Sequence, residues 1–439
     1  MMEKRSKIEL CIVANLIMGQ SPPSSTYNDE GIGLPFYQGK TDFGFIHPTP
    51  RKYCISPSKI AEKGDILISV RAPVGPVNIA NDKCCIGRGI AAIRAYKFDQ
   101  QYLYFNLISQ ENYIASLGTG STFKAINKSR LESIEIPNIP LPEQRKIAYV
   151  LSTIQKAIEQ QDKLIRTTTE LKKALMQKLC TEGIGWLSGA EISLKQTEIG
   201  PVPESWEVRK LREIIITSKG GGTPSTKKKE YWNGDIFWTT SKWINEEKIF
   251  LFDGEKKITQ LGLENSSTNL LPVDNLLVST RVVIGKITIN KVPIAYSQDL
   301  TGLWIDKSKY DLVFLAYQIK SEKINSYLQS LKRGATIQGI TREDLLDTFL
   351  VIPSFKEQKE IGSTILIFDQ KKEYHQRKKQ ILTDLFKTLL HELMTGQRRV
   401  HEIDFGFDFA QLKEQAHSGS EKEELLLMAA EPEVKYNKS

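Results

Sequence analysis

The chain has 439 residues, of which 40% are hydrophobic and 26% are charged, and this predicts about three soluble globular units at ~150 residues each. No run approaches the roughly 18 apolar residues of a membrane span, the five cysteines form no Cys-x-x-Cys pair, and polar residues interrupt the apolar segment 8–18, so we expect a cytoplasmic protein without a signal peptide, disulfide framework or zinc site. The net charge of +8 is compatible with DNA or RNA as a partner without requiring either.

Residues 1–140 have the pattern of an α+β domain. Apolar runs at 65–70 and 90–94, separated by Gly, Pro and Asn-Asp, predict short strands. A helical segment is expected at 102–117, and a final short strand ends near Pro137.

A long helix is predicted from 141 to 180. Pro142 is acceptable in a first helical turn, and neither Pro nor Gly occurs again before Cys180. Apolar residues recur at alternating steps of four and three, which is the heptad pattern of a coiled coil. The positions in this seam are Ile147, Leu151, Ile154, Ile158, Ile165, Leu175 and Leu179, with polar gaps at Gln161, Thr168 and Lys172.

After a connector at 181–198, the same organisation occurs a second time. Residues 199–354 predict a second α+β domain with strands at 275–280 and 286–289, a helical segment at 313–331 and a strand ending near Pro353. A second long helix is expected at 355–395, followed by a tail at 396–439 that we expect to be partly disordered, apart from a short helical segment at 421–430. The second seam comprises Ile361, Ile365, Phe368, Leu382, Phe386, Leu389 and Leu393, with polar gaps at Lys372, His375 and Lys379.

Four matching motifs show that the chain is an internal duplication. Their offset grows from 202 to 214 residues, as expected for related domains whose loops differ in length. The pairs are Gly19-Gln20-Ser21-Pro22 with Gly221-Gly222-Thr223-Pro224, the segment 67–75 with 277–285, the segment 120–126 with 334–340, and Glu143-Gln144-Arg145-Lys146-Ile147 with Glu357-Gln358-Lys359-Glu360-Ile361.

The two long helices are expected to pack against each other as an antiparallel coiled coil. Each is roughly 54 Å long at 1.5 Å per residue, and their lengths and seams match. In this arrangement Gln161 faces Lys379 and Thr168 faces Lys372, forming polar layers that fix the register. The alternative is that each helix packs only on its own domain.

Catalytic motifs are incomplete throughout the sequence. Gly39-Lys40-Thr41 lacks the earlier glycine of a phosphate-binding loop, and His391-Glu392 is not followed by the second histidine of a metalloprotease helix. Glu357-Gln358-Lys359 resembles part of a nuclease triad, but it begins a helix and has no supporting aspartate. We therefore expect no catalytic residues and no metal site, and a protein that binds rather than catalyses.

Basic and amide side chains in the loops of both domains are the candidate DNA contacts. Arg and Lys bind phosphates or pair with guanine, while Asn and Gln read base edges. Arg71 and Arg281 rank highest because they follow equivalent strands, although each could instead hold a structural hydrogen bond. The full set is Lys40, Arg71, Arg88, Lys124, Asn127 and Arg130 in the first domain, and Lys227, Lys228, Lys229, Lys242, Arg281, Arg333, Gln338 and Arg342 in the second.

Several sequence segments resemble segments of the specificity subunits of type I restriction-modification enzymes. The segment 139–148 followed by Leu151-Ser152 is similar to the start of that family's conserved helix, and the segment 199–211 is similar to the opening of its second recognition domain. The segment 120–123, with Leu131, Ile134 and Ile136 after it, has the same resemblance. The first copy departs from the pattern because Arg5 stands where the second has Trp206.

The resemblance implies two target-recognition domains that each read one half of a gapped, asymmetric double-stranded DNA site. The paired helices would set the gap and dock two methyltransferase subunits, and two restriction subunits would join the larger complex in phage defence. S-adenosylmethionine, ATP and magnesium would then belong to the partner subunits. A divergent nuclease, or a scaffold that does not bind DNA, are the alternatives.

Overall fold

The computed structural model describes residues 5–120, 124–185, 192–334 and 338–402. They belong to two compact units, unit 1 formed by residues 1–159 with 381–439 and unit 2 formed by residues 160–380. The expected α+β class is confirmed. The expectations for the tail beyond residue 402 lie outside the described residues.

Unit 1 contains three antiparallel or mixed sheets and the beginning of the first long helix. Their strand orders are β1-β11, β2-β10-β7-β8 and β3-β5-β4-β9-β6. The elements are β1 (Lys7–Glu9), β2 (Ala14–Met18), β3 (Tyr27–Asn28), β4 (Leu34–Tyr37), β5 (Lys52–Cys54), β6 (Ile60–Ala61), β7 (Ile66–Ser69), β8 (Val77–Ile79), β9 (Cys84–Ile86), β10 (Ile90–Ala95), α1 (Gln100–Ser109), α2 (Glu111–Ser116), α3 (Lys128–Glu132), β11 (Glu135–Pro137) and α4 (Leu141–Glu182), whose second half belongs to unit 2.

Unit 2 repeats this plan and adds a two-stranded sheet, β12-β13. Its strand orders are β12-β13, β14-β24, β15-β23-β20-β21-β17 and β18-β16-β22-β19. The elements are β12 (Leu194–Thr197), β13 (Gly200–Pro203), β14 (Glu207–Lys210), α5 (Leu211–Ile214), β15 (Ile215–Gly220), β16 (Trp232–Thr239), β17 (Phe250–Leu251), β18 (Lys256–Ile258), α6 (Gln260–Glu264), β19 (Leu270–Leu271), β20 (Leu276–Ser279), β21 (Ile287–Asn290), β22 (Ile294–Tyr296), β23 (Leu300–Ile305), α7 (Leu312–Lys320), α8 (Glu322–Ser330), α9 (Arg342–Leu346), β24 (Phe349–Ile352) and α10 (Phe355–Thr395), whose second half belongs to unit 1.

Each helical segment that the sequence predicts as continuous is broken into two helices. In unit 2 the break falls at Ser321, whose extended backbone ends α7 and whose hydroxyl accepts a hydrogen bond from the Ile324 amide to begin α8. In unit 1 the break falls at Gln110, between α1 and α2. A serine that caps a new helix is a local signal that the apolar periodicity conceals.

The seams of the two long helices form part of the core of each unit. In unit 1, Ile147 and Leu151 of α4 share one buried cluster with Leu389 and Leu393 of α10. In unit 2, Leu179 of α4 shares a cluster with α10 residues in the same way. All fourteen positions expected in the seams are buried or half-buried, and each fully buried Leu or Ile contributes about 2 kcal/mol.

Contacts between the long helices in unit 2 run in the antiparallel direction. Lys379 Nζ lies 2.6 Å from Asp162 Oδ1, and Lys172 Nζ lies 2.5 Å from Asp369 Oδ1. Gln161 is buried, but its hydrogen bond is to His375 Nδ1 at 2.8 Å and not to Lys379. The ammonium group pairs instead with the neighbouring carboxylate, because a charged acceptor binds it more strongly than an amide does.

The first turn of each long helix makes equivalent contacts with its unit. Gln144 Oε1 accepts a hydrogen bond from the Asp99 amide at 2.8 Å, and Gln358 Oε1 accepts one from the Asp311 amide at 2.9 Å. Each glutamine also donates to the carbonyl five residues before it. The two helices are therefore positioned by the same device.

The glutamate before each of these glutamines, Glu143 or Glu357, has a different partner in each unit, which explains the difference between Arg5 and Trp206. In unit 2, Trp206 Nε1 donates to Glu357 Oε2 at 3.1 Å. In unit 1, Arg5 pairs with Glu143 at 2.8 Å and also donates to the Leu393 carbonyl. Arg5 therefore takes the place of the tryptophan, and it binds the end of α10 as a cation suited to a helix C-terminus.

One packing layer differs sharply in chemistry between the units. In unit 1, Phe386 of α10 contacts Phe105 with ring centroids 6.0 Å apart. At the corresponding place in unit 2, Lys172 of α4 lies 4.8 Å from the centre of the Tyr317 ring and pairs with Asp369. The Tyr317 hydroxyl also donates to Asp369 at 2.6 Å. The layer is aromatic in unit 1, with the neutral Gln155 at the place of Asp369 donating to the Tyr104 hydroxyl at 3.1 Å, and it is ionic in unit 2.

Removing the lysine of this ionic layer is expected to destabilise the chain. Lys172 and Asp369 are only 15% and 16% exposed, so Lys172→Met leaves a poorly hydrated carboxylate and should cost about 3 kcal/mol. The triple variant Lys172→Met, Tyr317→Phe, Asp369→Leu should recover most of that loss, because apolar groups replace a buried ion pair at little cost. Urea unfolding followed by circular dichroism measures both effects.

The neighbouring lysine provides a matched control. Lys173 pairs with Glu322 at the surface, where both side chains are more than 70% exposed, so Lys173→Met should change stability by less than about 0.5 kcal/mol. Equal losses in the two single variants would contradict a special role for the layer.

Stability is expected to depend on pH through His375. Burial, with smaller effects from Lys371 and Lys378, lowers the pKa of His375 from its ordinary 6.5. As the pH falls below 6.5, the unfolded chain therefore binds a proton more readily than the folded chain does. The stability that the neutral, buried imidazole contributes is complete above pH 6.5 and is lost as the pH falls below it. His375→Gln should lose less stability than the wild type between about pH 7.5 and about pH 5.5, and parallel losses would contradict this origin.

Candidate nucleic-acid interface

A central strand in each unit ends at an exposed arginine. Arg71 follows β7 and forms an isolated bridge with Ala125, while Arg281 follows β20 and forms one with Gly339. Within the described part of the chain, neither guanidinium makes a hydrogen bond or ion pair with another side chain. The alternative was that each arginine holds a structural hydrogen bond, and the described residues provide no side-chain partner for one.

Two equivalent turns lie beside these arginines, and we call residues 87–90 and 297–300 the paired turns. The Ile90 amide donates to the Gly87 carbonyl at 3.0 Å, and the Leu300 amide donates to the Ser297 carbonyl at 3.1 Å. The carbonyl of Gly89 accepts from Val70, and that of Asp299 accepts from Thr280, both at 2.9 Å. The turns therefore have a fixed position relative to the arginines.

Three further backbone hydrogen bonds are the same in both units. The first residue of each turn donates to the end of a strand, Gly87 to Tyr37 and Ser297 to Thr239. The segments after β2 and β15 complete the arrangement through bonds of 2.8 to 3.2 Å, namely Gly19 to Ile90, Gln20 to Ile86, Gly221 to Leu300 and Gly222 to Tyr296. The duplicated motifs thus build the same local backbone twice.

In unit 1 this arrangement surrounds a cleft of about 710 Å³. Lys40, Arg71 and Arg88, three of the candidate contacts, line the cleft together. All three are exposed and lack ion-pair partners among the described residues, so the cleft is positively charged. The remaining lining includes Ser21, Tyr27, Gln38, Thr41 and Phe43.

Two amides of the segment that resembles a phosphate-binding loop are occupied. Asp42 is buried, and its carboxylate accepts hydrogen bonds from the amides of Gln38 at 2.7 Å and Gly39 at 3.4 Å. These amides would have to bind phosphate in such a loop. Lys40 therefore faces the cleft from a short turn that is not a nucleotide-binding loop.

Two candidates in unit 1 have structural partners outside the cleft lining. Asn127 caps α3 by accepting a hydrogen bond from the Arg130 amide at 3.0 Å, and Arg130 donates to the Leu117 carbonyl at 2.6 Å. Lys124 is exposed and has no such partner among the described residues. The first two are therefore weaker candidates than the residues of the cleft.

Unit 2 places Lys242 at the position that corresponds to Lys40. Lys40 follows β4 by three residues and Lys242 follows β16 by three, and both lysines are exposed. Unit 2 therefore presents a lysine and an arginine from the same two places as unit 1.

The other unit 2 candidates divide into paired and unpaired side chains. Lys228 donates to the Tyr231 hydroxyl at 2.9 Å, Arg333 pairs with Asp344 at 3.0 Å, and Arg342 lies 4.0 Å from Glu343. The exposed candidates whose side chains have no partner among the described residues are Lys227, Lys229 and Gln338.

Sequence reasoning missed the polar residues that line the cleft between the basic ones. Gln38 and Thr41 flank Lys40, and Ser21 belongs to the first duplicated motif, where its hydroxyl accepts a hydrogen bond from the Arg88 amide at 3.4 Å. The duplicated motifs were the sequence signal that could have located these residues.

Tyr27 also lines the cleft. Burial raises the pKa of Tyr27, so its hydroxyl remains a neutral donor, here to the Pro22 carbonyl.

The part of the chain that the structure describes holds two protonated neighbouring thiols and no metal cluster. Burial raises the pKa of Cys84 and of Cys85 to about 12, which keeps both thiols protonated. No group of three or more His, Cys, Asp or Glu side chains there is placed to hold a metal ion. None of the described helices is long and apolar enough to cross a membrane.

The fold and this interface define a duplicated binding protein with a basic surface in each copy. The chain belongs to the family described as "Type I restriction modification DNA specificity domain", which matches residues 6–166 and again 203–384. The resemblance noted in the sequence is thereby confirmed.

Two relatives from Methanocaldococcus jannaschii carry related names. The MjaVIII specificity subunit of a type I restriction enzyme is 29% identical over 319 residues, which is 70% of this chain and 72% of that protein. The MjaX specificity subunit, named as a candidate, is 50% identical over 168 residues, only 38% of this chain and 40% of that protein. A solved S subunit of a type I restriction-modification system from M. genitalium has the same fold, with a TM-score of 0.63, 18% identity and coverage of 89% and 96%.

Truncating either exposed arginine is expected to weaken DNA binding. Arg71→Ala or Arg281→Ala should each raise the free energy of binding by about 1–2 kcal/mol and reduce the salt dependence by about one phosphate contact. Duplex binding by the full chain in complex with its partner subunits, titrated at several salt concentrations, measures this. Arg51→Ala, at an exposed residue outside the cleft lining, serves as a control, and unchanged binding by both variants would make the two arginines structural.

Proposed function

We propose that this chain is the specificity subunit of a type I restriction-modification complex and that each unit reads one half of a gapped, asymmetric duplex site. The observation that carries the proposal is the repeated arrangement of an unpaired arginine, an exposed lysine and a fixed turn on two copies of a DNA specificity domain. The chain itself is not the enzyme of the complex.

The long helices are proposed to set the spacing between the half-sites. Their seams enter the cores of both units, so a change in helix length moves each recognition surface with the core that supports it. We propose that the helices also dock two methyltransferase subunits and that two restriction subunits join the complex. A solved chain with a TM-score of 0.51, from a study of type I complex assembly, covers 89% of this chain and supports the fold of such a subunit.

Cofactors are proposed to act on the partner subunits. S-adenosylmethionine would serve methyl transfer, while ATP and magnesium would serve the restriction subunits, and this chain would carry none of them. We propose a cytoplasmic location for the complex, because its proposed partner is double-stranded DNA.

Removing one heptad from each helix tests the spacing role. Deleting residues 157–163 together with 378–384 takes seven residues from corresponding positions of an antiparallel pair and preserves both seams. The helix pair becomes about 10 Å shorter, which corresponds to about three base pairs at 3.4 Å each. We expect the same two half-sites with a shorter spacer.

The readout is the set of methylated bases in the genome of a host that carries the chain and its methyltransferase. The host with the wild-type chain should show a gapped two-part methylation motif, and this motif should disappear when the chain is deleted from the host. An unchanged spacer in the shortened variant would contradict the spacing role.

The alternatives predict different outcomes. Metal-dependent cleavage of DNA by the pure chain would support a divergent nuclease. Absence of salt-dependent duplex binding by the co-purified complex would support a scaffold that does not bind DNA.

A further inference from the structure

The paired turns carry different side chains at the same backbone position. Arg88 is the second residue of the turn in unit 1, and Gln298 is the second residue of the turn in unit 2. Both are exposed. The backbone hydrogen bonds that hold the two turns are the same, so the two side chains leave the surface from equivalent points.

The basic residues next to this turn position are of the same type in both units. The arginine that follows the central strand is retained as Arg71 and Arg281, and the lysine after the neighbouring strand is retained as Lys40 and Lys242. Every DNA half-site has the same phosphate backbone, whereas its bases differ. Retained cations therefore suit phosphates, and a side chain that changes between the copies suits bases.

Arginine and glutamine share one geometry of base recognition. The arginine fork pairs with O6 and N7 of guanine, and the glutamine amide pairs with N6 and N7 of adenine, both at the major-groove edge of a purine. Glutamine carries no charge, so replacing arginine by glutamine removes a phosphate contact but preserves a bidentate purine contact. The exchange between the turns is the one that keeps purine recognition.

The segment after the first strand of each sheet contacts this turn residue, through its side chain in unit 2 and through its backbone in unit 1. In unit 2, the Thr223 hydroxyl donates to Gln298 Oε1 at 2.7 Å and so orients the amide. Oε1 keeps a second lone pair to accept from adenine N6, and Nε2 has no partner among the described residues. In unit 1, the corresponding Ser21 accepts from the Arg88 backbone amide, and the Arg88 side chain lines the cleft. Thr223 thus acts as a positioning residue for Gln298.

We propose that Arg88 and Gln298 are equivalent base-reading residues, Arg88 selecting a guanine in one half-site and Gln298 selecting an adenine in the other. The proposal rests on the function proposed above. Arg71, Arg281, Lys40 and Lys242 then contact phosphates and contribute affinity without sequence preference.

A selection experiment on exchanged residues tests the proposal. The full chain, purified with its methyltransferase partner, is incubated with duplexes randomised in both half-sites, and the bound duplexes are sequenced. Arg88→Gln should change one guanine of the first half-site to adenine with at least about a fivefold change in preference, and leave the second half-site unchanged. Gln298→Arg should produce the reciprocal change in the second half-site.

Two further variants separate base reading from charge. Arg88→Lys keeps the charge but loses the planar fork, so it should weaken the preference for guanine without creating one for adenine, whereas a phosphate contact would retain the wild-type preference. Arg51→Gln is the matched control, an exposed arginine of unit 1 outside the cleft lining, and should give the wild-type motif.

The outcomes distinguish this proposal from the function on which it rests. If Arg88→Gln selects the same motif as the wild type, or loses affinity for all duplexes without a change of base, the assignment of Arg88 is overturned. The specificity function is not affected by either result. Failure of the wild-type complex to select any motif overturns both.

Discussion

The antiparallel contact between the two long helices is the constraint on which both units depend. Each unit takes part of its core from residues far away in sequence: Leu389 and Leu393 pack beside Ile147 in unit 1, and Leu179 packs beside Ile361 in unit 2. A unit without the distant helix segment would expose several apolar side chains, each worth about 2 kcal/mol. The helices are therefore part of the folding of each unit as well as a connection between them. This is why the duplication repeats domain and helix together, with the matching seams that the sequence displays.

The duplication separates what must stay the same from what can vary. The paired turns keep their backbone hydrogen bonds, and the glutamines at the starts of the long helices keep theirs. Backbone geometry decides where a side chain leaves the surface, whereas the side chain decides which base or phosphate it binds. A protein that reads two different half-sites needs the first to be constant and the second to differ. Arg88 and Gln298 meet that requirement at one equivalent position.

The fold class, the duplication and the pairing of the long helices were predictable from the sequence, because apolar periodicity and repeated motifs indicate them, and the family was predictable from the resemblance of the segments 120–123, 139–148 and 199–211 to its members. The partners of individual polar side chains were not. Gln161 was expected opposite Lys379, but helical periodicity gives only the face of the helix, and the choice between Asp162 and Gln161 depends on charge at close range. Gln38, Thr41 and Ser21 were missed at the cleft because only the fold brings the segment of Ser21 beside the segment that holds Gln38 and Thr41. Asn127 and Arg130 were selected as DNA contacts by residue type, while the structure gives both a local partner.

The differences between the units also make them poor substitutes for each other. Arg5 pairs with Glu143 where Trp206 meets Glu357, and Phe386 packs on Phe105 where Lys172 pairs with Asp369. A helix segment carrying Lys172, placed in the aromatic layer of unit 1, would bury a cation beside the neutral Gln155 and not beside a carboxylate. Phe386, placed in the ionic layer of unit 2, would leave Asp369 without its lysine, and either exchange is costly. The two segments of long helix are thus matched each to its own unit by charge, and this matching opposes pairing of like halves.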